Sequence, residues 1–244
     1  MTLALLLLLC SVCFAAPSAK PADKKTAPPV KAAPDAAWRA QMNAAETAMS
    51  GKDFAVAEKA YAAAAKEAGK FGRNDARAAE SLAGKADALR GQGKHPEAVD
   101  AYIAAIDLMG KSMPEDDLRL AKAYDGLSLS LEAKGLSEDS AKMGLKAARI
   151  YATVYGPRHL EVAKSAERLA GLSVRAGNVA QAIAYYQQAL SIREKLQGPE
   201  HPDLLPILDP YSQVLALTPR KADSQAMAER AKALRAKISA KSSK

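Results

Sequence analysis

The sequence predicts an all-α chain, a solenoid of about five stacked helix pairs closed by a C-terminal capping helix. Three observations carry this reading. Of the 244 residues 49% are hydrophobic but only 5% aromatic, so alanine supplies much of the apolar content. Alanine is the best helix former, and its small side chain lets helices approach closely. Proline is absent between Trp38 and Pro96, where apolar residues recur at helical spacing. A residue pattern then repeats every 42 positions.

Taken from the start, Thr2 to Ala16 are uncharged and include the leucine run Leu5 to Leu9. That is the length of a signal-peptide core and too short to span a bilayer as a helix. Residues 1–15 are therefore expected to be a signal peptide cleaved after Ala15, directing the protein to the periplasm or outside the cell. No Lys or Arg precedes the core, so its positive end is the amino terminus alone. Both cysteines, Cys10 and Cys13, fall within this leader. The mature chain would then have no disulfide, thiolate metal ligand or cysteine nucleophile. Leu9 and Val12, which precede the two cysteines, are bulkier than a lipid-attachment signal accepts. Residues 16–35 combine five prolines with Lys and Ala, a composition that predicts a disordered tether.

The repeats follow, at about 36–71, 72–113, 114–155, 156–197 and 198–238. Gly93, Gly135 and Gly177 lie 42 residues apart, and each is followed five residues on by Ala98, Ser140 or Ala182. Nine residues on come Tyr102, Gly144 or Tyr186, and twelve on Ala105, Ala147 or Ala189. Upstream, Lys52 heads the same frame with Ala57, Tyr61 and Ala64; downstream, Pro219 heads it with Ser224, Ala228 and Ala231. The glycine ends the first helix of a pair, where positive φ is wanted. The alanines mark close helix crossings, and the tyrosine fills the space between them. Before each turn a first helix is legible in Leu82, Ala86 and Leu89, then Tyr124, Leu127 and Leu131, then Leu208, Tyr211 and Leu215. In the last unit Ala228, Ala231, Leu234 and Ile238 form an apolar stripe, with Arg230, Lys232, Arg235 and Lys237 largely on the other faces, as a capping helix near Asp223 to Ile238 requires. Residues 239–244 are expected to be disordered.

This frame resembles the tetratricopeptide repeat, in the longer variant found in kinesin light chains. The connectors Gly156-Pro157-Arg158-His159-Leu160 and Gly198-Pro199-Glu200-His201-Pro202 are similar to that variant's Gly-x-x-His-Pro loop, with Leu160 departing from it. The resemblance covers about Asp35 to Lys237 and implies a right-handed α-solenoid whose concave face, lined by first helices, binds a protein or peptide. On that face the repeat frame places Glu80, Asp87 and Arg90 from the second unit. The third contributes Lys122, Asp125, Leu129 and Glu132, and the fourth Lys164, Glu167 and Arg175. Chaperone-binding relatives clamp a terminal carboxylate with Lys and Asn. The matching positions here are Ala83, Asp125 and Glu167, then Asp87, Leu129 and Gly171, so two acids replace the cation and such a ligand would be repelled.

The net charge of +8 is not spread over the chain. Between Ala36 and Thr218, 23 Lys/Arg balance 23 Asp/Glu, and the excess sits at the two ends. Phosphate binding needs cations gathered on one folded face, so nucleic acid is not the expected partner. His95, His159 and His201 all fall in or beside turns, the last two at one repeat position, which assigns them to loop geometry rather than to a metal. Glu115-Asp116-Asp117 follows Pro114 at a helix start, where carboxylates cap free amides. No catalytic or cofactor motif is present, and no cofactor is expected. The function read from the sequence is that of an exported binding scaffold rather than an enzyme. The alternative is a structural envelope protein with weak contact to an anionic surface through its basic C-terminal segment.

Overall fold

The computed structural model describes residues 35–242. The expected leader and nearly all of the tether lie outside them. Ten α-helices follow one another without a strand among the described residues: α1 (Ala36–Ser50), α2 (Phe54–Ala68), α3 (Ala76–Gly91), α4 (His95–Ser112), α5 (Leu118–Ala133), α6 (Ser137–Tyr155), α7 (Leu160–Arg175), α8 (Val179–Gln197), α9 (Leu205–Ala216) and α10 (Lys221–Ser242). They pack in antiparallel pairs, each helix against its neighbours in sequence, into a right-handed solenoid of five units. None of the helices is long and apolar enough to cross a membrane.

The turn inside each pair is built the same way four times. Gly93, Gly135 and Gly177 take φ of 75°, 77° and 75°, and Lys52 takes 59°. The residue after each returns its amide to a carbonyl five positions back: Asp53 to Ala48, Lys94 to Leu89, Leu136 to Leu131 and Asn178 to Ser173, at 2.8–3.0 Å. This closing bond satisfies a carbonyl that the helix end leaves free.

Between pairs a second recurrence appears. Asp75, Asp117, His159 and His201 stand at 42-residue intervals, and each side chain accepts the amide two residues on, at 2.8–3.2 Å. The two histidines therefore act through Nδ1 as helix caps, and the His159 ring also stacks on Tyr155 at 4.2 Å between centroids. In Asp75 and Asp117 the neighbouring guanidinium of Arg77 or Arg119 holds the carboxyl below its ordinary range.

The frame positions form the core. Ala57, Ala64, Ala98, Ala105, Ala147, Ala182 and Ala189 are fully buried, with Tyr61, Tyr102 and Tyr186 between them. Each tyrosine serves the joint to the following unit. A Cβ on Gly84 of α3 would overlap the Tyr61 ring, one on Gly126 of α5 would overlap Tyr102, and Tyr186 meets Tyr211 of α9 at 5.9 Å. The final unit departs from the expected stripe. Ala231 and Leu234 are buried and Ile238 partly so, but Ala228 is exposed and Met227 packs instead. Ala228 holds the position that elsewhere reaches the next unit, and no further helix pair follows it among the described residues. The helix also runs on to Ser242, past the Ile238 at which the sequence placed its end.

Candidate functional site

The ten residues projected onto the first-helix face are largely engaged in holding the solenoid together. Glu80 on α3 pairs with Arg119 beside α5's start, and Glu132 on α5 pairs with Arg175 on α7. Asp125 on α5 pairs with Arg168 on α7. These contacts span 39 to 43 residues, one repeat, and so fix the stagger of adjacent first helices. Asp87 and Arg90 turn inward to the hydroxyl of Tyr102, which donates to Asp87 at 2.5 Å and accepts from Arg90 at 3.2 Å. Burial, then the Asp87 carboxylate, pushes the Tyr102 phenol above its ordinary value. Lys164 bonds Glu161 one turn away at 2.7 Å, Leu129 is half-buried and Lys122 is exposed.

A second set of contacts joins each first helix to its own partner. Asp125 accepts from Tyr151 at 3.1 Å, Glu167 from Arg193 at 3.1 Å, and Asp209 pairs with Arg235. All three pairs are 26 residues apart and recur every 42; in the second unit the same two positions are Ala83 and Met109. The acids at the positions where relatives clamp a carboxylate are thus neutralised within the chain. This corrects the expectation that they repel an anion.

Between α5, α7 and α9 lies a pocket of about 400 Å³, lined by Glu132, Lys164, Glu167, Arg168, Arg175 and Arg193 around Tyr186. Four cations and two acids line it, and each cation is ion-paired: Lys164 with Glu161, Arg168 with Asp125, Arg175 with Glu132, and Arg193 with both Glu167 and Asp203. Arg193 is only 10% exposed along its side chain, and Nε of both Arg168 and Arg193 is buried with no hydrogen-bond partner among the described residues. Of the projected residues, Glu132, Lys164, Glu167 and Arg175 converge on this pocket. Glu80, Asp87, Arg90, Lys122, Asp125 and Leu129 do not line it.

Arg119, Arg168 and Arg193 escaped the sequence reading because it followed apolar frame positions. The signal was present in the same arithmetic: Gly84, Gly126, Arg168 and Pro210 share one position, as do Met109, Tyr151, Arg193 and Arg235. On α10, Arg230 pairs with Glu194 and donates to the Pro199 carbonyl at 3.0 Å, and Lys237 pairs with Glu200.

Comparison with known proteins agrees with this architecture. Residues 161–237 match the family model of the tetratricopeptide repeat. BtubC (BKLC) from P. vanneervenii is 21% identical with a TM-score of 0.71, over 80% of this chain and 78% of that one. A kinesin-light-chain-like protein of Podosopora anserina with nearly identical TPR-like repeats is 19% identical with a TM-score of 0.72, over 85% and 98% of the two chains. MamA is 14% identical with a TM-score of 0.63, over 83% and 94%. At these identities the likeness is one of fold. No curated protein matches the chain by sequence. Residues 161–237 thus match the tetratricopeptide repeat in sequence, and the fold of the chain is similar to that of kinesin-light-chain-like repeat structures.

Proposed function

We propose that this protein is an exported, non-enzymatic scaffold that holds an extended protein segment against the face of its first helices. The observation that carries this reading is the pocket between α5, α7 and α9, where the half-exposed Lys164 and Arg175 stand beside Arg168 and Arg193 on the first-helix face. The ligand chemistry it fits is a peptide presenting a carboxylate side chain, bonded by a guanidinium in a half-desolvated site. Arg175 and Lys164 stand at the rim, about half exposed and each bonded to a single acid, so a second carboxylate can share them.

Reversal of Lys122 and Lys164 to Glu, and separately Arg175→Glu, tests this. Affinity for an immobilised array of acidic extended peptides should fall about tenfold or more while helicity and melting temperature hold, since removing one charge-assisted contact costs about 1.5–3 kcal/mol. Unchanged peptide binding in all variants sinks the reading. Export is tested by fractionating the producing cell and sequencing the mature amino terminus, which should begin at or near Ala16 outside the cytoplasm. The pairing of Arg230, Arg235 and Lys237 with body residues favours a capping role for α10 over attachment to an anionic surface.

A further inference from the structure

The second helices form the opposite face, and there the joint between the third and fourth units holds a hollow of about 480 Å³, against about 300 Å³ at the matching place between the fourth and fifth. A groove of about 480 Å³ runs between α6 and α8, with Ala152 of α6 and Ala166 and Leu169 of α7 at its base and Leu145 and Tyr185 on its walls. Two substitutions within the repeat open it. Ala148 stands where the adjoining units have Ile106 and Leu190, and Ala166 where they have Tyr124 and Leu208. Leu190 and Leu208 are buried, and Ile106 and Tyr124 pack on the core, so at the flanking joints larger side chains narrow the space that is widest here.

The groove's edge is also distinct. Lys146 and Arg149 line it and no acid does. Arg149 replaces Asp107 of the preceding unit. Neither cation makes an ion pair among the described residues; the Lys146 ammonium lies 5.1 Å from the Tyr124 ring centroid. Across the groove, α8 carries no charged residue from Val179 to Ile192, and Leu145 is 45% exposed. A centre depleted of charge with a large apolar side chain open to solvent is the composition of an interface core.

We infer that this groove is a second docking surface, taking an acidic amphipathic helix of a partner protein. One leucine-sized or aromatic side chain enters the space above Ala148 and Ala166, and a carboxylate one turn away meets Arg149 and Lys146. Charge complementarity selects this occupant: the rim offers two unpaired cations, and a basic helix would set like charges against them. The surface is independent of the first-helix pocket, so the scaffold would hold two partners on opposite faces.

The test measures fluorescence anisotropy of a labelled helix-forming peptide with leucines on one face and glutamates flanking them, beside the same peptide with lysines for the glutamates. The acidic probe should bind the full chain saturably and the lysine probe should not. The double variant Ala148→Ile, Ala166→Leu refills the groove with residues that the flanking units accommodate, and should weaken the acidic probe about tenfold or more, as loss of a central anchor does. Arg149→Glu should weaken it comparably, and Arg175→Glu on the opposite face should leave it unchanged. Equal binding of both probes, no saturable binding, or full affinity in the refilled variant overturns the inference. Loss through Arg175→Glu alone overturns it too, and places the probe in the first-helix pocket.

Discussion

The joint between the second and third units and the joint between the third and fourth solve one packing problem with opposite choices. At the first, α4 contributes a large residue, Tyr102, and α5 a small one, Gly126, whose missing Cβ leaves room for the ring. At the second, α6 contributes Gly144, and the position of Gly126 is taken by Arg168, whose guanidinium lies 3.9 Å from where a Cβ of Gly144 would stand. The exchange conserves volume but changes chemistry. Tyr102 hands its hydroxyl to Asp87, whereas Arg168 ion-pairs with Asp125, and Ser128 and Ser140 bond one another in the interior close by. The apolar core divides along α7: Val162 and Ala163 belong with Ile192 of α8 to one cluster, and Ala166 and Ala170 to the next. A repeat protein can therefore lose its signature aromatic and keep its stagger, provided that the next unit supplies a large side chain anchored by an ion pair across the joint.

The sharpest way to break the comparison is Tyr102→Gly, which removes a buried ring while Gly126 remains small. It should cost about 3–5 kcal/mol, read as a loss of the denaturation midpoint. Adding Gly126→Arg to that variant should recover part of the loss, whereas Gly126→Arg alone should be strongly destabilising. Additive effects in this double-mutant cycle would show that the two joints are not versions of one design. A gentler contrast sets Gly126→Ala against Gly144→Ala. The first forces a methyl into the Tyr102 ring and should cost about 1–3 kcal/mol. The second meets side-chain atoms alone, a terminal methyl of Leu169 at 3.2 Å and the Ser128 hydroxyl at 3.4 Å, and gains helix propensity, so thermal melting should place it near the parent protein.

The smallest effect separates the caps rather than the joints. Asp117→Ala should cost about 1 kcal/mol through loss of the bond to the Arg119 amide. Because its carboxyl titrates lower in the folded chain than in the unfolded one, the contribution is complete above about pH 4 and vanishes as pH falls through the folded value. The difference in melting temperature between Asp117→Ala and the parent should accordingly close in acid. A difference that persists there would move the effect from the carboxylate to packing.

The fold was legible in the sequence because the positions that repeat are the ones that set backbone and close packing. Three glycines with positive φ and the alanines at fixed distances mark every turn and crossing from the second to the fourth unit. The capping helix was legible for the same reason, but its end was not, since Ser239 to Ser242 carry no apolar stripe and helix propensity alone extends α10. The candidate face was legible only as a list. Glu80, Asp125, Glu132 and Glu167 were placed on the correct helices, yet their partners Arg119, Arg168, Arg175 and Arg193 come from one repeat later or from the second helix of the pair. Charge along one helix does not disclose which charges cancel across helices, so the pairing within the groove emerged only from the packed structure.

Ala228 bears on a different question, how a stack of like units knows its own length. In three of the earlier units the residue at that position is a tyrosine that reaches across the joint, so each such unit carries half of the adhesive for its successor. The last carries a methyl group that lies in solvent. A sixth pair presented to this end would find no ring to close around, and two molecules meeting end to end would find none either. On the outer surface of α10 the interlocking ring of the earlier joints is thus replaced by a smooth methyl-bearing face, which offers an end-to-end contact little to grip.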